Sequence, residues 1–208
     1  VDPADGQAYT YSQFEVPDAR RVYTTFEQPD LKSTFTLTVK APKGWKVFSN
    51  APTPAPEEDR EAWVYRFATT EVMSTYITAI VAGPYEGTTA TLTSSDGRTI
   101  DLGVYARASI VEHLDADEII EITRQGFEFF EGAYGIAYPF TKYDQIFVPE
   151  YNAGAMENAG CVTFRDAYVF RTRPTEAQME ARANTILHEL AHMWFGDLVT
   201  MKWWNDLW

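Results

Sequence analysis

The segment from residue 174 to residue 196 constrains the fold of this chain more strongly than any other part of its sequence. Pro174 precedes Thr175, and Gln178 follows three residues later, a capping-box arrangement that favours the first turn of a helix. Gly196 is typical of a helix C-terminus. The segment therefore predicts a helix that runs to Gly196. The residues predicted for its buried face recur at helical spacing: Met179, Ala183, Ile186 and Leu190.

This predicted helix carries the motif His188-Glu189-Leu190-Ala191-His192. Residues i and i+4 of a helix lie about 5–6 Å apart on one side, so two imidazoles can bind one ion at ~2.0–2.1 Å. Glu189 can then take a proton from a metal-activated water and pass it to a leaving amine. Imidazole ligands with an oxygen donor favour zinc, although cobalt and manganese also fit. The alternative is that these side chains form only the polar face of the helix.

Two histidines do not complete a catalytic zinc site, which takes three protein ligands. The sequence offers no obvious third ligand. Asp197, just past the predicted helix, or Asp206, near the end of the sequence, could orient an imidazole N–H. The remaining histidine, His113, is expected to be an ordinary surface residue.

Composition excludes several classes of function. The 208 residues include 17 Lys+Arg against 30 Asp+Glu, a formal net charge of −13. So acidic a chain lacks the basic face that nucleic acids require, and it is disfavoured at anionic membrane surfaces. No apolar run approaches the ~18–20 residues of a membrane span. The single cysteine, Cys161, excludes an internal disulfide, and we expect it to be a small buried residue in a reducing compartment.

The first part of the chain predicts β-structure. Residues 33–40 alternate apolar with polar and place Phe35, Leu37 and Val39 on one strand face. Asp96-Gly97 tolerates the positive φ angles of a tight hairpin turn. The other predicted elements are strands at 63–67, 75–81, 90–94 and 100–106, with a connecting loop at 50–61.

The second part predicts a mixture of helix and strand. Residues 115–133 carry Ile119, Ile122, Gly126, Phe129 and Phe130 at helical spacing, and we expect a helix there. Buried strands are predicted at 145–148 and 161–164. The domain boundary is expected between Gly83 and Arg107, which we place between a β-sandwich or saddle-like domain at 1–86 and a second domain at 87–208. The predicted fold class is α+β.

A second motif lies between the two predicted strands, at Asn152-Ala153-Gly154-Ala155-Met156-Glu157-Asn158. Its small residues let a backbone approach a ligand closely, and an exposed strand edge can pair with a peptide. A carboxylate at the end of such an edge can bind a cationic amine. The alternative is an ordinary connecting loop.

Together these motifs resemble those of the M1 family of zinc aminopeptidases, the aminopeptidase N group. The resemblance runs along nearly the whole chain. The segments that carry it are Tyr11–Glu15, Asp18–Arg21, Gln28–Asp30, Gly154–Asn158, His188–Asp197 and Trp203–Trp208.

The resemblance implies a role for each matching residue. One zinc ion would be bound by His188 and His192, with Glu189 as the general base. Glu157 would bind the free α-amine of a peptide substrate, helped by Glu15. The remaining substrate-binding residues implied by the family are Gln13, which would line the first side-chain pocket, Gly154 and Ala155, which would hold the peptide backbone, and their neighbours Met156 and Asn158.

The same resemblance implies that further parts lie outside this sequence. The family's third zinc ligand, a Glu nineteen residues after the second His, would fall at position 211, three residues beyond Trp208. The tyrosine that stabilises the oxyanion and a helical C-terminal region would also follow. We therefore expect an N-terminal all-β domain and the first half of a thermolysin-like zinc metallopeptidase domain, a fragment inactive by itself.

The leading hypothesis is a zinc aminopeptidase acting on peptides with a free N-terminus, with no nucleic-acid partner and a cytoplasmic location. One alternative retains the zinc site but hydrolyses an epoxide, as in some relatives. Another is a scaffold of the same fold without catalysis, which the presence of His188, Glu189, His192 and Glu157 disfavours.

Overall fold

A computed structural model describes residues 1–207, and Trp208, with the expected third zinc ligand beyond it, lies outside the described residues. Within this range the chain forms eleven strands and two α-helices, joined by loops and short 3-10 helices. In chain order they are β1 (Thr10–Tyr11), β2 (Thr38–Pro42), β3 (Lys46–Ser49), β4 (Glu57–Asp59), β5 (Ala62–Arg66), β6 (Ile80–Gly83), β7 (Tyr85–Thr93), β8 (Thr99–Arg107), α1 (Ala116–Tyr134), β9 (Lys142–Val148), β10 (Ala155–Met156), β11 (Cys161–Arg165) and α2 (Glu176–His192).

The N-terminal part consists of two three-stranded sheets with strand orders β1-β6-β3 and β2-β5-β4. The predicted alternation at 33–40 is confirmed, because Phe35, Leu37 and Val39 are half-buried between exposed neighbours. Regular pairing starts only at Thr38, where β2 meets β5 in antiparallel register. The predicted strand at 63–67 corresponds to β5.

Two predictions for this part were wrong. Residues 75–77 form a 3-10 helix, so the strand predicted at 75–81 begins only at Ile80. The reason is that a side chain takes up backbone N–H and C=O groups that a neighbouring strand would otherwise bond. The Asn50 amide donates to the Ile77 carbonyl at 2.8 Å and accepts from the Ala79 N–H at 2.9 Å. The loop predicted at 50–61 also contains β4, which pairs with β5.

The second part is built on a five-stranded sheet of order β10-β11-β9-β8-β7. The β7–β8 hairpin confirms the predicted turn at Asp96-Gly97, where Gly97 adopts a φ of 86°. β9 is parallel to both β8 and β11, and all seven of its residues are buried. β10 lies antiparallel to β11 at the edge of the sheet, so the two-residue strand is paired on one side only.

The two helices pack closely against each other. A Cβ atom on Gly126 of α1 would lie 2.6 Å from Leu187 Cδ2 and 2.7 Å from Leu190 Cδ2 of α2, so these leucine side chains pack directly against the glycine. The expectation for Phe129 was wrong, because it is 67% exposed while Phe127 is buried. Both side chains lie on α1, and the sequence alone does not distinguish which one faces the sheet.

The boundaries and inner face of α2 also differ in part from the prediction. The capping box at its start is confirmed, with reciprocal bonds between Thr175 and Gln178. The helix ends at His192 rather than at Gly196, because the next four residues turn back along it. Met179 is 38% exposed, while Arg182 takes the buried position near the start of the helix.

Candidate metal and amine-binding site

Helix α2 brings the two motif histidines together. The Nε2 atoms of His188 and His192 lie 3.0 Å apart, and the two rings meet at 87°. His192 is buried, whereas His188 is exposed at the rim of the site. Two nitrogens at this separation can both lie about 2.0–2.1 Å from one zinc ion.

The protonation of both rings suits metal binding. Burial lowers the pKa of His188, and the neighbouring His192 lowers it further. Burial also lowers the pKa of His192, which a hydrogen bond to the Phe195 carbonyl partly opposes. The Nδ1 atom of His192 lies 2.8 Å from that carbonyl oxygen. Since Nδ1 then carries the proton, Nε2 of the neutral ring keeps its lone pair for a metal.

Glu189 lies between the two histidines in sequence and is buried at 4% exposure. Its Oε2 atom has no hydrogen-bond partner among residues 1–207. Burial, together with the charges of Glu157 and Glu15, raises the pKa of the carboxyl to about 9. An unpartnered buried carboxyl next to two neutral imidazoles fits a site that receives a cation. Within the described part of the chain, no three His, Cys, Asp or Glu residues are grouped to hold a metal.

The second motif forms the edge of the sheet beside α2. Ala155 and Met156 make up β10, and the Gly154 carbonyl accepts from the Arg165 N–H at 3.0 Å. Glu157 and Asn158 follow as buried residues, and burial raises the pKa of Glu157. The structure thus places a strand edge and a buried carboxyl in succession, next to the helix that carries the histidines.

The N-terminal part contributes two further predicted residues. Burial and the charge of Glu157 raise the pKa of Glu15 to about 7, so the two carboxyls lie close enough to repel each other. The Gln13 amide donates to the Met156 sulfur at 3.1 Å, across 143 positions of sequence. The site is therefore assembled from both halves of the described chain.

Sequence reasoning missed a hydrogen-bonded chain that supports these residues. The Tyr151 hydroxyl donates to the side-chain Oε1 of Gln13 at 2.8 Å and accepts from the Thr163 hydroxyl at 3.4 Å. Thr163 in turn accepts from the Asn158 amide at 3.4 Å. Neither Tyr151 nor Thr163 belongs to a local motif, so only the paired strands reveal them.

Two buried tyrosines were missed as well. The hydroxyls of Tyr76 and Tyr143 have no hydrogen-bond partner among the described residues. Burial raises the pKa of both, and nearby carboxylates raise it further: Asp197, Glu157 and Glu15 for Tyr76, and Glu189 and Asp197 for Tyr143. No local signal distinguished them from the other tyrosines of the chain.

The roles predicted for Asp197 and Asp206 were wrong. The carbonyl that orients His192 belongs to Phe195, and Asp206 is exposed and accepts a bond from Asn205. Asp197 is buried, and neither of its carboxyl oxygens has a hydrogen-bond partner within residues 1–207. Burial raises its pKa well above the ordinary range, and Glu157 adds to this while Lys32 opposes it.

The two remaining side chains are as predicted. His113 is partly exposed in a 3-10 helix and lies 3.8 Å from Glu112. Cys161 is free and completely buried, and burial raises the pKa of its thiol to about 12. A thiol with so high a pKa is a poor nucleophile at neutral pH.

Comparison with known proteins gives matches for both halves of the chain. Residues 3–77 match the family described as Peptidase M1 N-terminal domain, and residues 118–208 match the Peptidase family M1 domain. The chain is 62% identical over 208 residues to "Aminopeptidase N" of Streptomyces lividans, covering 100% of this chain and 24% of that relative.

More distant relatives match over most of this chain as well. "Aminopeptidase N" of Mus musculus is 36% identical over 203 residues, or 95% of this chain and 20% of the relative. "Tricorn protease-interacting factor F2" of Thermoplasma acidophilum is 39% identical over 198 residues, or 95% of this chain and 24% of the relative. The chain therefore spans no more than about a quarter of the length of these relatives. Neither helix within residues 1–207 combines the length and the apolar character that crossing a membrane requires.

Proposed function

Because this chain belongs to peptidase family M1, we propose that it forms the metal-binding and amine-recognition part of a zinc aminopeptidase. Such an enzyme releases the first residue of a peptide. One observation carries the proposal: two ring nitrogens 3.0 Å apart stand on the same helix as Glu189, whose pKa is raised by the charges of Glu157 and Glu15. The name of the Streptomyces lividans relative supports the same activity.

His188 and His192 would hold the zinc ion through Nε2, with a third protein ligand from outside residues 1–207. When bound, zinc supplies a Lewis acid that polarises the scissile carbonyl and makes a water molecule more acidic. The Phe195 carbonyl keeps the His192 ring in the tautomer that this requires, since it accepts the Nδ1 proton.

Glu189 would act as the general base. Its burial raises its proton affinity above that of an ordinary carboxylate, so it can accept the proton of the attacking water. The same carboxyl would then donate that proton to the leaving amine, so Glu189 would serve first as a base and then as an acid. Its Oε2 atom is available for this, because no side chain or backbone group within residues 1–207 bonds it.

Glu157 and Glu15 would recognise the free N-terminus of the substrate. An α-ammonium group is a cation near neutral pH. Both carboxyls have raised pKa values, and a bound cation would offset the cost of burying them as carboxylates and reduce the repulsion between them. The exposed edge of β10 at Ala155 can pair with the substrate backbone. Recognition of the terminal amine confines cleavage to the first peptide bond.

The test is hydrolysis of amino-acid anilides by the full-length protein supplied with zinc. We expect release of aniline from substrates with a free α-amine and none from their N-acetylated counterparts. Equal rates on both would contradict the amine-recognition role of Glu157 and Glu15. Epoxide turnover without anilide hydrolysis would favour the alternative enzyme, and neither activity would favour a scaffold.

A matched pair of variants separates recognition from chemistry. Glu157→Gln is expected to raise KM for free-amine substrates by about 10-fold or more, because it removes a charge-assisted bond to the ammonium group. Glu150→Gln, at an exposed position seven residues away, serves as the control. A Glu157→Gln enzyme with unchanged KM and kcat would show that another group binds the amine.

A further inference from the structure

We propose that Lys32, from the N-terminal part of the chain, is a positioning residue for the histidine His192. Lys32 clamps residues 195–199, which we name the ligand-orienting loop, and this loop provides the carbonyl that holds the His192 ring. The inference rests on the zinc site proposed above. It adds to that site a dependence on a part of the chain that contains neither histidine.

The ligand-orienting loop acts on His192 directly. Its first residue, Phe195, presents the carbonyl oxygen that lies 2.8 Å from His192 Nδ1. The loop folds back on the end of α2 through backbone bonds: the Asp197 N–H donates to the His192 carbonyl at 3.0 Å, and the Val199 N–H donates to the Trp194 carbonyl at 2.9 Å. A shift of the loop would therefore move the oxygen that fixes the ring.

Within the described residues, the one ring contact of this loop is that of Phe195 with Tyr134, whose centroids lie 5.3 Å apart. Phe195, Leu198 and Val199 are exposed by 54%, 41% and 57%. Asp197 is buried, but both of its carboxyl oxygens are without hydrogen-bond partners in that part of the chain. Burial of an unpaired carboxylate costs free energy, so it does not anchor the loop by itself.

Lys32 adds a side-chain anchor to these backbone bonds. Its ammonium group donates to the carbonyl oxygens of Asp197 at 2.6 Å and Leu198 at 2.9 Å. Both bonds are charge-assisted, which makes them stronger than bonds between neutral groups. The same cation lies close enough to Asp197 to oppose the effect of burial on its carboxyl. One side chain therefore holds two carbonyls of the loop.

Lys32 can act as a clamp because its own backbone is fixed. The next residue, Ser33, exchanges two backbone hydrogen bonds with Met73, at 3.0 and 2.9 Å. Met73 is 1% exposed and belongs to the main hydrophobic core. On the other side of Lys32, the Leu31 N–H donates to the Gln28 carbonyl at 3.0 Å. The ammonium group thus extends from a rigid part of the fold to the loop 165 positions away.

The experiment uses the full-length protein and the variants Lys32→Met and Lys32→Arg. Lys40→Met is the matched control, since Lys40 forms an exposed ion pair with Asp59 far from the loop in sequence. Two quantities are measured: amide hydrogen exchange of residues 195–199 in the metal-free protein, and the apparent dissociation constant for zinc in competition with a chelator.

We expect Lys32→Met to speed exchange in the ligand-orienting loop and to weaken zinc binding about tenfold, the range for lost support of a metal ligand. Lys32→Arg keeps the charge and should restore most of both. At saturating zinc, KM should stay that of the wild type, because Lys32 is not placed to bind substrate. If Lys32→Met does not fold, Lys32→Gln replaces it with the same expectations.

Zinc affinity equal to that of Lys40→Met would overturn the inference, whether or not exchange in the loop changes. A wild-type protein that binds no zinc would instead overturn the proposed function. In that case the exchange data, which need no metal, still decide whether Lys32 holds the loop. The failures of the two proposals are therefore distinguishable.

Discussion

Helix α2 buries two ionisable side chains seven residues apart, and only the first has ionic partners. Toward the start of the helix, the Arg182 guanidinium donates to Asp115 at 2.8 Å and to Glu118 at 3.1 Å and lies over the Phe170 ring. Two turns later, Glu189 is buried with one oxygen unpartnered among the described residues, and no cation offsets the effect of burial on its pKa.

The difference distinguishes an ionisable group that stabilises the fold through ion pairs from one that is left without a partner in the folded chain. A buried ion pair contributes little net stability but is costly to break. An unpaired buried carboxyl lowers stability, and proteins retain such groups mainly where function requires them. On one helix, therefore, Arg182 is expected to matter for folding and Glu189 for turnover. Five predictions test this division and the helix packing beside it.

The largest effect is expected from Glu189→Gln in the full-length protein. Loss of the general base should lower kcat by about 10²–10⁴-fold, with KM and zinc affinity little changed because neither histidine is altered. The free energy of unfolding of the metal-free protein should change little at neutral pH, since a carboxyl with a pKa of about 9 is uncharged there and the amide has the same shape. Steady-state kinetics and urea denaturation check both statements. Glu180→Gln, exposed on the same helix, is the control, and wild-type turnover by Glu189→Gln would refute the assignment.

The next effect is expected from Arg182→Met. Removing the cation breaks two ion pairs at the junction of α1 and α2 and should lower the free energy of unfolding by about 3 kcal/mol, the low end of the range for a buried pair. The low end applies because Asp115 and Glu118 are 47% and 40% exposed and can be solvated. Arg173→Met at an exposed position should change little. If Arg182→Met lowers kcat without lowering stability, the division between paired and unpaired groups on this helix fails.

A smaller effect is expected where the helices touch. Gly126→Ala places a methyl group 2.6–2.7 Å from Leu187 and Leu190, so the helices must separate or the leucines must shift. We expect a loss of about 1–3 kcal/mol in the free energy of unfolding. Gly132→Ala, on the same helix with no atom within 4 Å, should instead gain up to about 1 kcal/mol from helix propensity. Equal effects of the two substitutions in denaturation experiments would contradict the packing argument.

The sequence predicts local patterns of the fold better than it predicts long-range contacts. The cap at Thr175, the alternation at Phe35 to Val39 and the turn at Gly97 are local patterns, and each appears where it was predicted. The strand predicted at 75–81 was wrong because Asn50, some 27 positions away, binds the Ile77 carbonyl. Local propensity contains no information about such a partner.

The candidate site shows the same limit. His188 and His192 meet because helical spacing brings i and i+4 together, which sequence alone predicts. Glu157 was a candidate from its own motif, as a carboxylate at the end of an edge strand, whereas Glu15 was identified only through resemblance to a family because it lies on a distant loop. Tyr151 and Lys32 were missed altogether, because their contacts cross 138 and 165 positions of chain.

The smallest effect is expected from the pH dependence of Glu15→Gln. The folded protein holds the Glu15 pKa near 7, above its ordinary value of 4.5. A raised carboxyl pKa lowers stability as pH rises, because the unfolded chain releases its proton first. The wild type should therefore become less stable relative to Glu15→Gln between pH 4.5 and 7, and the difference should level off above pH 7. Thermal unfolding midpoints across this pH range measure the effect.

A carboxylate on the paired side of the division should show the opposite sign. Asp2 accepts bonds from Ser109 and Arg107, which hold its pKa near 2 against the opposing effect of burial, below its ordinary value of 3.8. Its contribution is present above pH 3.8 and lost as pH falls toward 2. Asp2→Asn should therefore be less stable than the wild type at neutral pH and equal to it near pH 2. If both variants shifted stability in the same direction with pH, paired and unpaired carboxyls would not differ as the structure indicates.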